Sequence, residues 1–287
     1  MLTILILARA HQDRPLSNES EMAIGRLRDT VSIITGGGGG IGSAAGLIFC
    51  REGGKVMLVD SDNDALQAAA ERIRREVSAA QIATVRVDLG EEIAAQIAVD
   101  ETLSQYGSVD ILVNNVGIRR YEAMADMSWD QWDPIIRINL LSYTSMTRAA
   151  LPSLRASGRG SIINTASINA FHSRGGTGAY DAMKAAVLAF TRTVAVEERQ
   201  HNIRVNSVCP GYTLTSFHEK RLGQERLDSF LPSCIMQRWA APEEVAYPML
   251  WLASTEGSYI TAAEFKIDGG YPMFPDEQQH IKPAEAD

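Results

Sequence analysis

A tyrosine and a lysine four positions apart, Tyr180 and Lys184, close the stretch SINAFHSRGGTGAYDAMK, which opens on Ser167, thirteen positions ahead of the tyrosine. If the residues from Gly178 onward are helical, positions i and i+4 share one face, so the phenol and the ammonium meet. A free tyrosine titrates near pH ~10. A fixed cation beside it favours the phenolate and lowers that value, making the side chain a usable proton donor and acceptor near neutrality. Ser167 can then hold a substrate oxygen beside the phenol. An ordinary surface pair on a helix has the same spacing, so the surroundings decide between the two readings.

Those surroundings begin with a glycine run. The apolar segment 31–35 leads into Gly36 to Gly40, Ile41 and Gly42, and an Ala-rich helix follows over about 43–51. The run satisfies two patterns, Gly37-x-Gly39-x-x-Gly42 and Gly36-x-x-x-Gly40-x-Gly42. Small residues there let backbone N–H groups approach a pyrophosphate at a helix N-terminus, where the dipole favours anions. A phosphate loop of the nucleoside-triphosphate type needs Gly-Lys-Ser/Thr, and Gly42-Ser43 lacks the lysine. An acid, Asp60, ends the next strand. It either turns the chain there or accepts hydrogen bonds from the ribose hydroxyls of a dinucleotide. The five histidines are scattered and no Cys/His ligand spacing occurs, so no metal site is expected.

Further apolar runs mark strands at 55–60, 83–88, 109–114, 161–166, 203–209 and 263–268. Helical patterns separate them, at 62–77, 91–106, 128–157, about 178–199 and 242–254. Strands alternating with helices predict right-handed βαβ units, hence an α/β fold with a parallel sheet covered on both faces.

At 287 residues with 45% apolar and 22% charged composition, the chain can bury one large core. A net charge of −8 without a Lys/Arg cluster argues against a nucleic-acid surface. Three widely spaced cysteines, Cys50, Cys209 and Cys234, suit reduced thiols in a cytoplasmic protein. Leu2 to Leu7 is too short for a signal core and no spanning run occurs, so no membrane association is expected. Residues 1–26 are expected to form a flexible extension, with Met22 as a candidate start, and 274–287 a tail.

Taken together, these residues resemble the short-chain dehydrogenase/reductase family, over about Leu27 to Gly270. The resemblance implies a single-domain, Rossmann-like, doubly wound sheet of about seven strands over 27–273, including a lid at about 212–238. It sets the glycine register as Thr35-Gly36-x-x-x-Gly40-Ile41-Gly42, with Gly39 also against the cofactor. It assigns Asp88-Leu89 to the adenine, and Asn114-Asn115-Val116-Gly117 to a loop that usually reads NNAG. Asn139 falls at a proton-relay asparagine. Ser167, Tyr180 and Lys184 form the catalytic set, and Tyr180 and Lys184 also meet the nicotinamide ribose. Pro210-Gly211 with Thr213 and Thr215 hold the carboxamide. Thr261-Ala262 replaces the more usual Thr-Gly.

Several expectations follow from this resemblance. The cofactor is NAD rather than NADP, because Asp60 opposes a 2′-phosphate and neither Ser61 nor Gly39 supplies a cation. The substrate is a small hydroxylated molecule such as a polyol, sugar or cyclic alcohol, met by Asn169, His172 and Tyr212. Arg119 or Arg120 leaves room for a carboxylate. Alternatives are a cis-dihydrodiol dehydrogenase, a 3-oxoacyl reductase, or a cofactor-sensing scaffold. The lid carries Phe217, Leu222, Leu227, Phe230 and Met236 at partly helical spacing. A homotetramer is expected, with Ala182, Ala185, Ala186, Ala189 and Phe190 facing either a partner or the sheet.

Overall fold

Strands built from continuous Val, Ile and Leu have no polar face to turn toward water, so both faces must be covered. The computed structural model describes residues 25–173, 175–219 and 223–271. It places seven strands in one sheet: β1 (Val31–Thr35), β2 (Lys55–Asp60), β3 (Gln81–Arg86), β4 (Ile111–Asn114), β5 (Ser161–Thr165), β6 (Arg204–Pro210) and β7 (Glu264–Ile267). Neighbours pair in parallel throughout, in the order β3-β2-β1-β4-β5-β6-β7. The α/β class expected from the alternation is the one observed. Of the expected extension only Gly25 and Arg26 lie within the described residues, and the expected tail lies outside them.

The helices are α1 (Gly40–Arg51), α2 (Asn63–Glu76), α3 (Ala94–Tyr106), α4 (Trp129–Ile136), α5 (Ser142–Ser157), α6 (Gly178–Glu197), α7 (Ser216–Glu219), α8 (Gln224–Asp228) and α9 (Pro242–Ala253). One face of the sheet is covered by α1, α2 and α9, where Phe49, Leu66, Ile73, Met249 and Leu250 are buried together. The other is covered by α3, α5 and α6, through Val99, Met146, Leu154 and Val194. Each such side chain contributes about 1.5–3 kcal/mol on burial. These two apolar layers, more than local propensity, hold strands only four to seven residues long.

Several boundaries differ from the sequence expectation. Strand β3 begins and ends two residues early, because Asp88 turns the chain by accepting the Gly90 N–H at 2.9 Å. A two-residue shift leaves each side chain on its expected face. Helix α3 starts at Ala94, since residues just before it are spent in turns. The expected long helix over 128–157 is broken by a π-helical turn, Arg137–Leu141, between α4 and α5.

A line of buried polar side chains crosses the middle of the sheet. Asn114 Nδ2 donates to Asn164 Oδ1 at 2.9 Å and to Thr147 Oγ1 at 3.3 Å. Asn164 Nδ2 donates to Thr191 Oγ1 at 2.9 Å, and the Ser207 hydroxyl meets that same oxygen at 2.8 Å. Left unpaired, a buried group of this kind costs ~1–3 kcal/mol.

The chain leaves β1 toward β2 and leaves β4 toward β5, on opposite sides of the adjacent β1–β4 pair. That reversal opens a crevice beyond the carboxyl ends of the strands.

Candidate active site

The glycine loop forms one wall of the crevice. Gly36 takes a left-handed φ of 66°, and a Cβ there would lie 3.0 Å from the Val116 Cα. A Cβ at Gly42 would collide with the Gly36 carbonyl oxygen, and one at Gly40 would come within 2.8 Å of Thr215 Cγ2. Gly39 is the N-cap of α1, and no side chain caps that end. The first-turn amides are therefore available to an anion. This cradle, which side chains would fill, fits the pyrophosphate of a dinucleotide.

Asp60 braces the loop: its Oδ2 accepts the Gly38 N–H at 3.0 Å and its Oδ1 the Asp62 N–H at 3.2 Å. Both readings of Asp60 are thus compatible, since each oxygen keeps a further lone pair. The structure adds a cation that spacing did not reveal. Arg86 pairs in register with Asp60, and its Nε donates to the Ser61 carbonyl at 3.2 Å. Asp88 is exposed at the same end. The Leu89 side chain is buried in the α3-side core.

The opposite wall follows β4. Thr35 Oγ1 accepts the N–H groups of Asn115 at 2.8 Å and Val116 at 3.1 Å, while Asn115 Nδ2 donates to the Thr35 carbonyl at 3.1 Å. A Cβ at Gly117 would stand 2.9 Å from Asn139 Oδ1. Asn139 sits in the π-helical turn, a local widening of the helix frequent at functional sites. Its Oδ1 accepts the Ile118 N–H at 3.2 Å, and its Nδ2 donates to the carbonyls of Ile118 and Ile135, each at 3.0 Å.

Helix α6 carries Tyr180 and Lys184 one turn apart. Lys184 is buried; its Nζ donates to the Thr165 carbonyl at 2.7 Å and to the Tyr143 hydroxyl at 3.1 Å. It lies 5.8 Å from the Tyr180 ring centroid and 5.0 Å from that of Tyr143. The Arg119 guanidinium carbon lies closer still to Tyr180, 4.2 Å from the centroid. Burial alone would raise the Tyr180 pKa. The charges of Arg119 and Lys184, with side-chain hydrogen bonds to Arg119 and Ser167, outweigh it and bring the phenol below its ordinary value. Tyr143 moves the other way, because full burial dominates the single cation beside it. Its hydroxyl lies 3.0 Å from the carbonyls of both Val116 and Thr165. Two tyrosines thus share one lysine, and their environments push their pKa values apart, which is how acid/base roles separate.

The remaining wall comes from beyond β6, where Pro210 is buried. Gly211 passes so close to Asp268 that a Cβ would lie 2.6 Å from its Cα. Thr213 is buried and bridges to Ala240, and Thr215 Oγ1 lies 3.0 Å from His218 Nδ1. Burial and the Arg119 charge push His218 down to about 4, so it is neutral at physiological pH. Tyr212 is ringed by Phe230, Trp239 and Tyr271, with centroids 5.2, 5.4 and 5.4 Å away. Leu227, on α8, is buried, whereas Met236 is 58% exposed. Leu222 lies outside the described residues.

The expected polar pocket of Asn169, His172 and Tyr212 takes another form. Asn169 Nδ2 donates to the buried Asp181 at 2.6 Å, and the Tyr212 hydroxyl lies 3.1 Å from Ser233 Oγ. The His172 ring packs edge-on to Tyr271 at 5.9 Å. The Ser167 loop meets the lid through Tyr271, which packs against both His172 and Tyr212. Sequence reasoning missed Tyr143 and Trp239, both of which read as plain core aromatics. The one available signal for Tyr143 was its place four residues after Asn139, on the same helical face.

A family model described as enoyl-(acyl carrier protein) reductase matches residues 37–272. A 3-oxoacyl-(acyl-carrier-protein) reductase of Thermotoga maritima is 36% identical over 248 residues, covering 85% of this chain and 98% of the relative. A cyclopentanol dehydrogenase of Comamonas sp. is 35% identical over 249 residues, covering 86% and 99%. Among solved structures, levodione reductase superposes with a TM-score of 0.82 at 28% identity, covering 85% of this chain and 97% of that one.

Proposed function

The chain belongs to the short-chain dehydrogenase/reductase family, and from that premise we propose that it interconverts a small secondary alcohol and its ketone, using NAD. The observation that carries the acid/base assignment is the divergence of the two tyrosines. Tyr180, drawn toward the phenolate, takes the hydroxyl proton during oxidation and returns it during reduction. Tyr143 stays a neutral phenol and fixes the Lys184 ammonium. Ser167 orients the substrate oxygen beside Tyr180, and Asn139 shapes the wall behind Lys184.

A bound nicotinamide supplies the two-electron hydride acceptor. Gly36, Gly39, Gly40, Ile41 and Gly42 would cradle the pyrophosphate of the dinucleotide. Asp60 and the Asp88-Leu89 backbone hold the adenosine. Asn115, Gly117, Pro210, Gly211, Thr213 and Thr215 line the nicotinamide half. NADH formation across a panel of polyols, cyclic alcohols, diols and a 3-oxoacyl thioester tests the proposal. Silence on every secondary alcohol and ketone would overturn it. A preference for the thioester would favour the reductive reading that the Thermotoga relative suggests.

Tyr143→Phe is expected to lower kcat/KM about tenfold or more, because a hydrogen bond to a charged group is worth ~1.5–3 kcal/mol. The loss should come with an upward shift of the apparent pKa in the pH–rate profile. Unchanged kinetics would mean that the Thr165 carbonyl holds Lys184 unaided.

The protein is further proposed to be a homo-oligomer paired through α5 and α6. Ala182, Ala185 and Ala189 are exposed and Ala186 and Phe190 half-buried, whereas Val187, Leu188 and Thr191 take the buried positions. Light scattering at micromolar concentration should give a tetramer, and a monomer would refute the pairing. No helix among the described residues is long and apolar enough to cross a membrane.

A further inference from the structure

Arg119 lowers the Tyr180 pKa alongside Lys184, yet its position offers more than that. Lys184 already serves Tyr180 and is itself anchored on Thr165 and Tyr143. Arg119 has a different set of neighbours from the arginines that form ion pairs. Arg26, Arg51, Arg137, Arg155, Arg159 and Arg238 each meet a carboxylate. Among the described residues none pairs with Arg119, which instead holds two phenols. Its Nη1 donates to the Tyr121 hydroxyl at 3.3 Å, and its guanidinium carbon lies over the Tyr180 ring, 4.2 Å from the centroid. His218, near enough to feel its charge, is neutral and adds no competing cation.

A phenol is a weak, replaceable acceptor for a planar fork of donors that matches a carboxylate. We propose that Arg119 anchors a substrate carboxylate, so that the alcohol oxidised is a small hydroxy acid. The proposal rests on Tyr180 handling the substrate oxygen. Arg119 lies against the ring that carries that hydroxyl, so the carboxylate is placed one or two carbons from the reacting carbon. In the oxidation, the carbon-bound hydrogen leaves as hydride to NAD and the hydroxyl proton passes to Tyr180. The carboxylate is unchanged and stays on Arg119.

The test compares 3-hydroxybutyrate with 1,3-butanediol, in the wild type and in Arg119→Gln and Arg119→Lys. A charge-assisted pair of this type should give the acid about a ten- to hundredfold advantage in kcat/KM. Arg119→Gln should bring that ratio close to one, and Arg119→Lys should restore part of it. Calorimetry of butyrate binding to the enzyme–NADH complex reads the same anchor without turnover, and affinity should fall at least tenfold in Arg119→Gln. Equal use of acid and diol by the wild type would overturn the proposal. So would a ratio or butyrate affinity unmoved by Arg119→Gln, or an effect confined to the pH profile. Absence of turnover on all alcohols would sink the dehydrogenase reading alone, because butyrate binding still tests the anchor.

Discussion

Tyr180→Phe should lower kcat by roughly a hundred- to ten-thousandfold, the range that a positioned acid/base group contributes. The substitution removes one hydroxyl and keeps the ring that neighbours both Arg119 and Lys184. NADH affinity, read by fluorescence, should therefore change little, since Lys184 keeps its bonds to Thr165 and Tyr143. The pH dependence has a definite sign. Oxidation needs the phenolate, so kcat/KM for the alcohol should rise with pH and level off above an apparent pKa lowered from the phenol's ordinary value. Ketone reduction needs the phenol and should fall over the same interval. Near-normal turnover by Tyr180→Phe at neutral pH would remove Tyr180 from the chemistry.

The second large effect concerns the cofactor. A 2′-phosphate beside the Asp60 carboxylate places like charges in contact, worth about 4 kcal/mol at an effective dielectric of about 20. Arg86, in register with Asp60, offsets part of this. The NAD preference in kcat/KM should therefore lie between about thirtyfold and a thousandfold. Asp60→Ser should shrink it by leaving Arg86 unopposed, and Asp60→Ser with Arg86→Ala should weaken NADP again. Wild-type values within threefold of each other would show that Asp60 does not face the ribose. Dissociation constants for the two cofactors give the same ratio without a substrate.

The parts of this fold legible in sequence are those where one residue type has one physical use. Uninterrupted apolar runs can only be strands covered twice, and glycines such as Gly36 and Gly42 mark places where backbone meets backbone. The proximity of Tyr180 and Lys184 was legible because a helix fixes what four positions mean. The π-helical turn was not, because RINLL contains no breaker and continues the helical pattern. Asn169 and Tyr212 were placed as substrate ligands on the strength of their polar tips. Those tips found partners in Asp181 and Ser233, which are remote in sequence and carry no shared pattern. Arg86 was missed for a similar reason: its pairing with Asp60 arises from strand register, which a linear reading does not show.

The buried line from Thr147 through Asn114, Asn164 and Thr191 to Ser207 has a consequence for how faithfully the sheet assembles. Uniformly apolar parallel strands offer little to distinguish one alignment from its neighbour, whereas an amide that finds no partner rejects a slipped pairing. Asn114 opposite Asn164, and Asn164 opposite Ser207, thus act as a ruler laid across β4, β5 and β6. The Thr165 carbonyl that receives Lys184 lies one residue beyond Asn164. A slip of one residue would carry that oxygen about 3.3 Å along the strand, a full hydrogen-bond length. Proofreading of strand alignment during folding and placement of the reactive cation are therefore the same event, and a misaligned pairing would forfeit both the amide contacts and the seat of that cation.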